Sequence, residues 1–110
     1  MRLPLLPLIM EREAEDEVEA AVRWYERRRE GLGDRFLAEL DEAMLRIEES
    51  PLAGSFSPNA ASDLGVRRVL LDRFPYFVAY LMLPTAIHVI AVGHEHRRPG
   101  YYLRRVRRLL

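Results

Sequence analysis

Apolar positions first recur at helical spacing. Val18, Ala21, Val22 and Tyr25 fall at i, i+3, i+4 and i+7, which predicts a helix over residues 13–29. Acids crowd its first turns and Arg27, Arg28 and Arg29 close it, the order that suits the helix dipole. Gly31 supplies a stop. A second stripe, Phe36, Leu37, Leu40, Ala43, Met44 and Ile47, predicts a helix over 34–49, capped by Asp34 and ended by Ser50-Pro51. The joint Gly31-Leu32-Gly33 is short, so the two helices are expected to pack as an antiparallel hairpin.

Residues 52–65 are rich in Ser, Ala, Pro, Asn, Asp and Gly and are expected as loop. After them the period changes. Val66–Leu71, Phe77–Met82 and Ala86–Val92 predict three strands, the last with β-branched Ile87, Val89, Ile90 and Val92. Leu83-Pro84-Thr85 is tight enough for a hairpin. Leu5–Met10 predicts a short N-terminal strand, with Pro4 and Pro7 tolerated at its start or edge. A secretory signal is not expected, because Glu11, Glu13, Glu15 and Asp16 follow at once without a small-residue cleavage site. The order is β-α-α-β-β-β. The expected class is α+β: an antiparallel sheet with the N-terminal helical hairpin on one face. Pro99–Leu110 is a basic, aromatic tail with room for a final helical turn.

The chain has 110 residues, enough for one domain with one core. No apolar run approaches the ~20 residues of a membrane-spanning helix, so no membrane partner is expected. There is no cysteine, which removes disulfides, thiol catalysis and cysteine-based zinc sites. Net charge is zero, but its distribution is uneven. Residues 11–50 hold 14 acids and 7 arginines, and residues 51–110 hold 3 acids and 9 arginines. The basic half therefore fits an anionic partner. Every basic residue is arginine, so lysine cannot serve as nucleophile, base or phosphate binder.

The chain resembles a family at this point. Trp24-Tyr25-Glu26, Gly31-Leu32-Gly33, Phe36 and Pro51 are similar to the RelE/ParE superfamily, the toxins of bacterial type II toxin–antitoxin modules. Arg67-Arg68, Arg73-Phe74-Pro75-Tyr76, and His94 with Arg97, Arg98, Pro99, Gly100 and Tyr101 extend the likeness, as do Leu6-Pro7-Leu8-Ile9 and Ala14-Glu15. The match is collinear over residues 5–105, which form the expected single domain, and 106–110 form a basic tail. The resemblance implies a cytoplasmic toxin neutralised by a cognate antitoxin, with room for a higher-order toxin–antitoxin assembly. RelE-like members cleave messenger RNA at the ribosome, whereas ParE-like members inhibit DNA gyrase without cleaving anything. The fold serves both, so the site must decide.

RNA cleavage through the 2′-hydroxyl needs a base, an acid and cations for the phosphate. The candidate set is His94, Arg73, Arg97 and Tyr101. Candidate contacts to target or antitoxin are Arg67, Arg68, His96, Arg98, Tyr102, Arg104 and Arg105, with the tyrosines able to stack on bases. Arg67 and Arg68 are expected on opposite sheet faces, because side chains alternate along a strand. The alternative for His94 is structural, holding the basic tail by hydrogen bonds. His94 and His96 share one strand face but do not complete a metal shell, so no metal and no cofactor are assigned. Trp24 either packs at the helix edge or meets a partner. Arg27–Arg29 is expected as a solvated helix end. The acidic face from Glu11 to Glu19 is expected to be solvated and to repel phosphate. Absent lysines and the long helical hairpin favour the ParE-like branch over the ribonuclease. A degenerate member that only binds a partner is the third alternative, and growth arrest on expression would exclude it.

Overall fold

In the computed structural model, which describes residues 6–57 and 63–110, the first apolar stripe forms helix α1, Arg12–Arg28. It buries Ala14 and Ala21 fully and packs Val18, Val22 and Tyr25 against the core. The second stripe forms α2, Leu32–Glu49, which buries Phe36, Leu40, Ala43 and Ile47. Helix α2 starts earlier than expected, and Asp34 is not its cap. The cap position is Gly31, at φ 86°, a backbone conformation that glycine adopts without cost. Two N–H groups at the start of α2 are satisfied from α1. The Glu26 carboxylate accepts the N–H of Gly31 at 2.9 Å and of Gly33 at 3.0 Å. Gly33 must also lack a side chain, since a Cβ there would meet the Val22 carbonyl oxygen at 2.9 Å. Glu26, Gly31 and Gly33 thus set the hairpin joint together.

The strands are β1 (Leu8–Met10), β2 (Ser55–Phe56), β3 (Arg67–Leu70), β4 (Tyr76–Met82) and β5 (Ile87–His94). They form one sheet in the order β1-β5-β4-β3-β2. Chain segments β2 to β5 pair antiparallel, and β1 joins the far edge parallel to β5, with Leu8 opposite Ile87. The α+β architecture expected from the sequence is present, with β1 making the sheet mixed. Pro7 sits just before β1 and accepts the Ile87 N–H, which needs no donor from proline. Pro4 and Leu5 lie outside the described residues, as do residues 58–62 of the expected loop. Strand β2 was not expected. It is two exposed residues inside a Ser/Pro/Gly-rich stretch, too short to show a period.

Pairing slips between β4 and β5, where Ala79 faces Ala91 but Tyr80 faces Val89. Ile90 is the extra residue of this bulge, and it resets which side chains face which side. Before it, Ile87 and Val89 face the helical hairpin; after it, Val92 does, while Ile90 and Ala91 both join the opposite face. That opposite face has its own apolar cluster of Val66, Phe77, Ala79, Leu81, Ile90 and Ala91. A third helix, α3 (Leu103–Leu109), covers it with Tyr102 and Val106 buried. Each fully buried large apolar side chain stabilises by roughly 1.5–3 kcal/mol, a large share of a typical ~5–15 kcal/mol total. The tail is therefore a packed element: Val106 is buried and Leu109 packs against this second cluster. Among the described residues, no helix is long and apolar enough to cross a membrane.

Gly33→Ala is expected to lower stability by about 1–3 kcal/mol through overpacking, and Glu26→Ala by about 1 kcal/mol through loss of the cap. Urea unfolding measures both. Wild-type midpoints for both variants would show that the joint is not what holds the hairpin.

Candidate functional site

One end of β5 and one flank of α1 enclose a cleft of about 370 Å³. Helix α1 lends Glu17, Ala20, Ala21 and Trp24, whose spacing places them on one helix flank. Tyr25 and Tyr76 form aromatic walls, and Val92, Gly93 and His94 form the strand side. Arg97 enters from the turn after β5. The β4–β5 register sets His94 opposite Tyr76, with their rings edge to face at 5.3 Å. His94 Nδ1 accepts the backbone N–H of His96 at 3.0 Å, so the ring is held in place by its own turn. Both tyrosine hydroxyls hold their protons above the usual phenol range. Burial is the main cause for each, with the Glu17 charge adding to it at Tyr76.

Glu17 is the other organising residue. Strand β5 has β1 beside it only as far as Val89, and beyond that its edge is open. Glu17 Oε1 accepts the Val92 N–H there at 3.1 Å. The same carboxylate accepts the Tyr101 hydroxyl at 2.6 Å and the Arg105 guanidinium at 2.8 Å. Arg105 also donates to the Ile90 carbonyl at 3.1 Å, so the strand edge is closed by side chains on both polarities. Burial and the Glu17 hydrogen bond hold the Tyr101 phenol far above its ordinary pKa. Burial opposes the Arg105 charge, and the Glu17 hydrogen bond more than offsets it. The acidic face of α1 is therefore solvated only in part: Glu15, Asp16 and Glu19 are exposed, as expected, while Glu11, Glu13 and Glu17 are engaged. Glu11 holds His88 Nδ1 at 3.0 Å and Glu13 pairs with Arg108, which lowers the Glu13 pKa. Glu17 was missed, yet it carried a signal. It falls on the Ala14–Glu17–Ala21 line, the buried stripe of α1.

The aromatic residues of the family-like motifs converge on packing. Tyr25 contacts Phe74 at 4.8 Å and Phe36 at 5.6 Å, and Phe36 contacts Tyr76 at 5.0 Å between ring centroids. This aromatic cluster joins both helices to the β3–β4 turn. A family model described as the ParE toxin of the type II toxin–antitoxin system parDE matches residues 8–99. The chain belongs to the ParE toxin family. A solved structure titled "Chromosomal ParDE TA system from P. aeruginosa" shares the fold at 17% identity and a TM-score of 0.67, over 82% of this chain and 96% of that one. No curated protein matches the chain.

The fold of this ParE-family member gathers only part of the proposed site. His94 and Arg97 share the cleft. Tyr101 lies beside them under the Arg97 guanidinium, 4.0 Å from its ring centroid, but its hydroxyl belongs to Glu17. Arg73 lines a separate cleft of about 690 Å³ between α2 and the β3–β4 turn. Tyr102 is buried with its hydroxyl on Ser57, so its ring does not face solvent as expected for base stacking. Arg105 is engaged by Glu17 rather than open to a partner. Arg67 and Arg68 do point to opposite faces. Arg67 donates to the Leu52 and Gly54 carbonyls and stacks at 4.1 Å on Phe56, while Arg68 reaches over Phe77 of the second cluster. His96, Arg98 and Arg104 are exposed. Trp24 is half-exposed at the helix edge, with Arg28 stacked 4.1 Å from its ring centroid. Among the described residues, no three His, Asp or Glu side chains are grouped to hold a metal ion.

Glu17→Ala is expected to cost about 2–4 kcal/mol in urea unfolding, because it removes the carboxylate partner of the partly buried Arg105 and of the Val92 N–H. A loss below about 0.5 kcal/mol would contradict the role assigned to Glu17. Tyr101 makes a second prediction. Its folded pKa lies above its unfolded value, so its contribution is complete below pH ~10 and is lost as pH rises through the folded value. Stability should therefore fall above pH ~10, and fall less in Tyr101→Phe. Identical alkaline profiles for the two proteins would refute this.

Proposed function

We propose that this ParE-family chain is the toxin of its module and acts in the cytoplasm by binding a macromolecular target such as DNA gyrase, without cleaving RNA. We further propose that a cognate antitoxin neutralises it. The observation that carries the non-cleaving reading is the engagement of Tyr101 and Arg105 by Glu17. RNA cleavage needs a base, an acid and phosphate cations at one point. Here Arg73 lies in another cleft, Tyr101 keeps its proton, Tyr102 is buried and lysine is absent. His94 and Arg97 alone do not make up the set. Their shared cleft is the one observation favouring the alternative, a ribosome-dependent endoribonuclease.

Induced expression without antitoxin should stop growth with messenger RNA intact and plasmid supercoiling altered. His94→Ala, shown to be folded, should still arrest growth. Rapid translation-dependent cleavage of messenger RNA that His94→Ala abolishes would overturn the reading in favour of the ribonuclease.

A further inference from the structure

The cleft beside His94 offers hydrogen-bond donors, and its carboxylate is already engaged. His94 Nδ1 is occupied by the His96 N–H, so in the neutral ring Nε2 carries the hydrogen. Arg97 adds guanidinium donors at the rim. Glu17 is the carboxylate among the lining residues, and both its oxygens are already engaged. Trp24, Tyr25 and Tyr76 wall the space with aromatic surface. Donors at one side and aromatic surface at the other match an anionic group carried on an apolar body.

We propose that this cleft receives a carboxylate side chain of a partner polypeptide, an Asp or Glu next to an aliphatic residue. The carboxylate sits between His94 Nε2 and the Arg97 guanidinium, and the aliphatic neighbour lies against Trp24 and Tyr76. One feature favours a peptide over a nucleic-acid strand. One guanidinium and one imidazole suffice for a single carboxylate, whereas a strand requires a run of cations. The volume, about 370 Å³, is at the small end of ligand clefts and fits a side chain or two. The inference rests on the reading that a protein antitoxin neutralises this chain, and it names the chemistry by which such a partner is held.

The test needs neither toxicity nor antitoxin, so its failure is separate from failure of that reading. The ¹⁵N-labelled full chain is titrated with the tripeptide acetyl-Leu-Glu-Leu-amide and with its Gln twin, following amide and indole signals. The Glu peptide should shift Gly93, His94 and the Trp24 indole N–H and bind roughly tenfold tighter than the Gln twin. Arg97→Gln, at an exposed position, should erase that difference without unfolding the chain. Equal binding of the twins, absence of shifts at those residues, or inorganic phosphate binding there as tightly as the Glu peptide would each overturn the proposal.

Discussion

A single carboxylate, Glu17, ties three elements of this fold together. It reaches from α1 to the open edge of β5, and it holds the α3 side of the molecule through Tyr101 and Arg105. Taking a charged carboxylate out of water is costly unless every lone pair is used. Here a backbone N–H, a phenol and a guanidinium use them. The arrangement also protects the sheet. An open strand edge invites pairing with another chain, and Glu17 and Arg105 cover it with side chains instead.

The same constraint determines what the surface can do. Tyr101 and Arg105 stood among the candidate chemical residues, and both are held in place by Glu17. What remains open is a short list: His94 and Arg97 in the cleft, Arg73 in the other cleft, and His96, Arg98 and Arg104 exposed. A surface of isolated cations beside aromatic walls suits recognition of an acidic partner better than stepwise proton transfer. That distinction matters in a fold whose relatives act in different ways.

Much of the architecture was legible in the sequence. The two helices show in the 3.6-residue stripes, and the β3–β5 meander shows in the change of period. Less legible were features that depend on contacts between distant residues. Asp34 looked like a cap, but Glu26 does that work across the joint, a role that spacing along one helix cannot reveal. The Ile90 bulge moves Ile90 and Ala91 to the second face, and a continuous apolar run hides such a shift. Four arginines in the tail masked the Tyr102–Val106 stripe that seats α3. His94 and Arg97, which share the cleft, were already named as candidates in the sequence through the family-like motif. Glu17 was not, because a carboxylate within an acidic run looks solvated until the fold supplies its partners.

The most direct test is a double-mutant cycle between Glu17 and Tyr101, read by urea unfolding of wild type, Glu17→Gln, Tyr101→Phe and the pair. If the carboxylate holds the phenol and couples α1 to α3, the two losses should fail to add, with a coupling of about 1–2 kcal/mol. Losses that add within about 0.3 kcal/mol would mean that Glu17 and Tyr101 act independently, and Tyr101 would return to the set of residues free for chemistry.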